Sequence, residues 1–69
     1  MATNETYSVT GMTCDHCARA VASEISAITG VNDVSVDVAT GEVAVLSDAP
    51  LDRGAVREAV EEAGFSLAS

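Results

Sequence analysis

Val31-Asn32-Asp33-Val34-Ser35-Val36-Asp37-Val38-Ala39-Thr40-Gly41-Glu42-Val43-Ala44-Val45-Leu46-Ser47 reads as two strands joined by one tight turn. Val34, Val36 and Val38 alternate with Ser35 and Asp37, the period of a half-buried strand that opens at Val31. Thr40-Gly41 marks the turn, although the Asn-Gly or Asp-Gly pair that most strongly signals a hairpin is absent. The returning strand runs from Glu42 to about Ser47, with Val43 and Val45 expected to face the core. Ala44 and Leu46 compete for that face, because a slip of one residue exchanges the two sets.

Upstream of the hairpin the period changes. Cys17, Val21, Ile25 and Ile28, flanked by Ala18 and Ala22, fall at helical spacing, which predicts a helix from about Asp15 to Ile28. Thr13 or Asp15 can cap its start, and Thr29-Gly30 ends it, since glycine readily takes the left-handed stop position. Before the helix, Tyr7 and Val9 alternate with Thr6, Ser8 and Thr10, a strand over Glu5 to Thr10 broken by Gly11. Downstream, Asp48-Ala49-Pro50 interrupts the chain and Asp52 caps a second helix. Val56, Ala59, Val60 and Ala63 form its buried stripe, with Arg57, Glu58, Glu61 and Glu62 on the wet face. Gly64 stops it, and Phe65-Ser66-Leu67 reads as a short last strand. Strand, helix, strand, strand, helix, strand is the order of a ferredoxin-like α+β sandwich: a βαββαβ chain forming an antiparallel four-stranded sheet with two helices on one face. A fold of this kind does not define a function.

The 69 residues are expected to form a single domain, 1–69, without repeats or linkers. A chain this short buries only about 60% of its unfolded surface, and bound metal is a common staple for so small a scaffold. The net charge is −8, from three arginines against 11 carboxylates. That balance argues against nucleic acid, whose affinity rests on neutralising phosphates. It also disfavours anionic membrane surfaces and points to basic or locally positive protein partners, unless the acidity serves solubility alone. The start Met1-Ala2-Thr3-Asn4-Glu5-Thr6 is polar and lacks the basic and apolar regions of a signal peptide. No apolar run approaches the length of a membrane span, so direct membrane insertion is not expected. The reading is cytoplasmic, where thiols stay reduced and a cysteine pair binds metal or catalyses more often than it forms a structural bridge.

Chemistry concentrates in Gly11-Met12-Thr13-Cys14-Asp15-His16-Cys17, which holds both cysteines and the single histidine. Cys14 precedes the helix and Cys17 lies in its first turn. Unpaired amide hydrogens and the positive end of the helix dipole there favour thiolate, and a lowered thiol pKa eases metal loading at neutral pH. A thiolate pair selects soft ions over hard ones. Two thiolates from so short a loop suit near-linear Cu(I). Zinc almost always takes four ligands, and this loop offers at most a third in His16. The alternatives are cysteines that serve as small buried hydrophobes and a thioredoxin-type redox pair. The redox reading is weakened by the short chain and by the lack of a proline between the thiols.

Gly11-Met12-x-Cys14-x-x-Cys17, with the element order and the late Ala63-Gly64-Phe65 segment, resembles the Gly-Met-x-Cys-x-x-Cys signature of heavy-metal-associated domains over nearly the whole chain. Within that family the chain is similar to bacterial cytoplasmic copper chaperones, which carry Cu(I) to the amino-terminal metal-binding domains of copper-exporting P-type ATPases. The ATPases carry near-identical domains, and a periplasmic mercury-binding protein shares the motif. The lack of a signal peptide and a chain running from Met1 to just past the last strand favour a free-standing chaperone. In zinc-exporting relatives an Asp commonly precedes the first cysteine; Thr13 stands there in this chain and favours copper.

The resemblance implies that Cys14 and Cys17 are the metal ligands and that Met12 packs inward beneath the loop. His16 is implied at most as an accessory ligand or a solvent-facing neighbour. Phe65 stands where bacterial chaperones often carry Tyr and eukaryotic ones Lys, so the hydroxyl is absent and the ring is expected to support the loop as core packing. The expected activity is ligand exchange without catalysis, with a copper-bridged homodimer as a further association. A metal-binding domain of a heavy-metal ATPase or a metal-sensing module is the alternative.

Overall fold

A computed structural model describes residues 2–68; residues 1 and 69, the limits of the expected domain, lie outside it. The elements follow in order as β1 (Thr3–Thr10), α1 (Asp15–Ser26), β2 (Val31–Asp37), β3 (Glu42–Ser47), α2 (Arg53–Glu62) and β4 (Ser66–Leu67). The strands form one four-stranded sheet in the order β2-β3-β1-β4, every neighbouring pair antiparallel. Both helices cover one face, so the expected ferredoxin-like sandwich is the fold.

The hairpin register resolves the competition in β3. Tyr7 and Val36 stand opposite Val43, and Val34 opposite Val45. Val43 and Val45 are fully buried, whereas Leu46 is 36% exposed on the open face. These valines meet Val21 and Ile25 of α1 and Val56 and Val60 of α2, all wholly buried. Each such side chain contributes about 1.5–3 kcal/mol relative to an exposed one.

Boundaries differ from the sequence expectations where backbone bonding decides them. β1 begins at Thr3 rather than Glu5, because β3 is long enough to pair Thr3 with Ser47 and Asn4 with Leu46. β2 ends at Asp37, leaving Val38 outside it, because the Asp37 carbonyl accepts from Gly41 N–H at 2.8 Å and the turn starts there. Asn32 sits at a bulge between Val31 and Asp33 and donates to Asp48 Oδ1 at 2.9 Å. α1 stops at Ser26 instead of Ile28, as Ala27 and Ile28 N–H turn to the carbonyls of Glu24 and Ile25 at 3.3 and 3.0 Å. This tightening of the last turn is common where helices end. Ile28 still packs against the core.

α2 closes on a Schellman motif. Gly64 takes φ +93°; its N–H donates to Glu61 O at 2.9 Å and Phe65 N–H to Val60 O at 3.1 Å. Glycine meets the left-handed requirement of that position without strain. The motif engages Phe65, so β4 begins one residue later than expected and the Phe65 ring is turned toward the start of the cysteine loop.

Candidate metal centre

The loop from Gly11 to Cys14 joins the end of β1 to α1. Thr10 pairs with Ser66 and its hydroxyl donates to the Ser66 carbonyl at 3.3 Å. Met12 is 8% exposed and belongs to the core cluster, the inward packing expected of it. The half-buried Phe65 ring lies against Gly11: a Cβ on that glycine would come 3.2 Å from Phe65 Cδ1. A buried thioether and an aromatic ring therefore support the loop from beneath.

The cap expectation at α1 is corrected. Neither Thr13 nor Asp15 caps the helix: the N-cap is Cys14, in extended backbone at φ −157°, with no side-chain cap hydrogen bond. Asp15 is already the first helical residue. Cys14 and Cys17 thus occupy the cap position and the third helical position, the spacing at which a capping box brings two side chains together. Their Sγ atoms lie 3.4 Å apart as free thiols, Cys14 exposed and Cys17 half-buried against the core.

The Cys17 thiol is held below its ordinary pKa. Hydrogen bonding from the Thr13 backbone is the largest cause, followed by the Cys14 side chain; burial works against them, and the Cys14 backbone and Thr13 hydroxyl assist. The lowering at Cys17 has the expected direction, and its causes lie in the loop residues Thr13 and Cys14. Thr13 is the residue that sequence reasoning placed in the wrong role, as a helix cap rather than as the neighbour that most lowers the Cys17 pKa. Its position beside the first cysteine is the signal that could have found it.

His16 is exposed. Among the described residues no third His, Cys, Asp or Glu joins the two thiols in a cluster able to hold a metal ion. The structure therefore brings together Cys14 and Cys17, seats Met12 in the core and Phe65 against Gly11 at the start of the loop, and leaves His16 out of the thiol pair. No helix among the described residues is long and apolar enough to cross a membrane.

Two soft donors on an open rim, one exposed and one anchored, can take a thiophilic ion from solution and leave it accessible. Known proteins resemble the chain as a whole. The copper chaperone CopZ of Bacillus subtilis is 36% identical over 67 residues, spanning 93% of this chain and 94% of its own length. The zinc/cadmium/lead-transporting P-type ATPase of Shigella sonnei is 40% identical over 94% of this chain. The solved structure of a CopZ metallochaperone superposes with a TM-score of 0.87 at 32% identity, covering 94% of this chain and 98% of that one. The chain spans only 7% to 9% of the length of the transporting ATPases it matches. Residues 6–66 match the heavy-metal-associated domain, and the chain belongs to that family.

Proposed function

We propose that residues 1–69 act as one domain, a cytoplasmic copper chaperone that binds Cu(I) through Cys14 and Cys17 and hands it to the metal-binding domain of a copper-exporting P-type ATPase. The observation that carries this reading is the thiol pair itself: two sulfurs 3.4 Å apart with no third His, Cys, Asp or Glu beside them among the described residues. Such a donor set suits a soft ion of low coordination number and leaves the tetrahedron of zinc incomplete. The likeness to the copper chaperones, which covers most of both chains, supports it.

Transfer is ligand exchange without catalysis. An incoming thiolate adds to the two-coordinate ion, and one resident thiolate then leaves and recovers its proton; copper stays Cu(I) throughout. Thiolates on opposite sides of one ion stand about 4.6 Å apart on the scale of a 2.3 Å metal–sulfur bond. The pair must therefore open by roughly an ångström on loading. Exposed Cys14 is the side that moves and meets the partner, while Cys17 stays anchored in the first turn of α1. An open rim also admits thiolates of a second copy, which gives a copper-bridged homodimer. His16 is the accessory group nearest in sequence, and it joins only if the loop closes over the ion.

Anaerobic competition of the reduced protein for Cu(I) and Zn(II) against chelators of known strength tests the assignment. Cu(I) should be held far more tightly, through two sulfurs per ion by X-ray absorption. Comparable affinities would favour the second reading, a metal-binding domain of a zinc-type transporter, which the 40% identity to the zinc/cadmium/lead ATPase supports. Sedimentation with and without one equivalent of copper tests the dimer.

A further inference from the structure

β1 is paired with β3 only as far as Ser8, opposite Glu42. The next residue, Val9, is held on that side by the hairpin turn instead: its N–H donates to the Gly41 carbonyl at 2.8 Å. Gly41 takes φ +76°, and a Cβ built on it would stand 2.7 Å from the Val9 carbonyl oxygen. That oxygen belongs to the main chain and cannot rotate aside as a side chain would. Only glycine lets the turn close on β1 at this point. On the other side, Val9 and Thr10 pair with Leu67 and Ser66, so the strand end cannot retreat from the hairpin without disturbing those rungs. Gly11, opening the cysteine loop, follows at once.

We infer that Gly41 is a positioning residue for the metal loop. Its backbone contact with Val9 fixes where β1 releases the chain into Gly11–Cys14, and so fixes how Cys14 stands against Cys17. Gly41 touches neither sulfur and acts through the strand end. The inference rests on the proposed Cu(I) reading.

A matched pair of substitutions separates this role from ordinary backbone strain. Gly30 has φ +94° and a Cβ there would meet nothing within 4 Å, so Gly30→Ala carries a similar left-handed cost without the contact. Gly41→Ala adds the contact. Gly41→Asn keeps it while using the residue type that tolerates positive φ best, and it serves if the alanine variant folds poorly. In the full chain, both Gly41 variants should bind Cu(I) roughly 10–100-fold more weakly, the scale of losing a supporting group around a metal site. Their apo amide resonances for residues 10–14 should shift. Gly30→Ala should keep wild-type affinity and wild-type resonances there, despite its own fall in melting temperature. Wild-type affinity in the Gly41 variants, an equal loss in Gly30→Ala, or shifts confined to the hairpin would overturn the inference. Failure of the unmodified protein to retain Cu(I) would instead overturn the copper reading, and the apo resonances still decide whether Gly41 places the loop.

Discussion

Helix α2 begins on Asp52, whose carboxylate accepts from Gly54 N–H at 3.1 Å, whereas α1 begins on Cys14, whose side chain caps nothing and lies 3.4 Å from Cys17 Sγ. A good cap is worth about 0.5–2 kcal/mol, and α1 forgoes it. What holds α1 is its buried stripe, Val21 and Ile25 at zero exposure. The contrast separates two ways of using a helix start. At α2 the free amides serve stability; at α1 the cap position carries a sulfur, and the adjoining loop lowers the pKa of Cys17.

The sharpest way to break that contrast is to make the two starts alike. Cys14→Ser should lower Cu(I) affinity by more than the roughly 100-fold that loss of a supporting group can cost, since a single thiolate remains. The same variant should gain up to about 1 kcal/mol of apo stability, serine being a favoured cap. Cys17→Ser should lose copper equally, without the gain. Chelator competition and denaturant unfolding of the apo forms measure both effects. Copper retention by either variant would remove the two-thiolate site.

The converse experiment strips the cap from α2. Asp52→Ala should cost about 1 kcal/mol and leave Cu(I) affinity unchanged, because that helix start lies outside the metal loop. A matching loss of copper affinity would mean that the two helix starts are coupled through the helix pair.

Much of this division was legible beforehand. Valine alternation located β2 and β3, helical spacing located both buried stripes, and Cys14-x-x-Cys17 before an amphipathic helix marked the candidate site. Local pattern suffices for such features because each depends on residues a few positions apart. Part of what escaped depends on register between distant segments. Glu5 reads only as the start of a strand, yet its Oε1 accepts from Leu51 N–H at 3.1 Å across 46 positions. Ser47 ends a strand yet is fully buried, its hydroxyl donating to Ala49 O at 2.8 Å. Tyr7 was legible as core, but its hydroxyl is buried without a hydrogen-bond partner among the described residues. A buried unpaired group is costly, so Tyr7→Phe should be neutral or stabilising by up to about 1 kcal/mol, read by chemical unfolding. Marked destabilisation would show that the hydroxyl has a partner, with Glu5 the nearest candidate.

The smallest expected effect comes from the electrostatics of the two starts. Loop donors lower the pKa of Cys17 in the folded state, the Thr13 backbone foremost, while an unfolded thiol titrates near about 8.5. Between those two values the unfolded chain holds a proton that the folded chain has released, so apo stability should climb with pH through that window. The contribution is complete above the unfolded pKa and is lost as pH falls through the folded one. Tyr7 works in the opposite sense. Burial, and then the Glu5 carboxylate, raise its pKa, so its share of stability is present below about pH 10 and is lost as pH rises through the folded value. Unfolding measured from pH 6 to pH 9 in the Tyr7→Phe background isolates the thiol. Relative to that background, adding Cys17→Ser should flatten the rise, whereas Asp52→Ala should lower the whole curve without changing its slope. Equal slopes with and without Cys17 would mean that the loop donors at α1 stabilise the thiol and thiolate alike, and the electrostatic difference between the two helix starts would disappear.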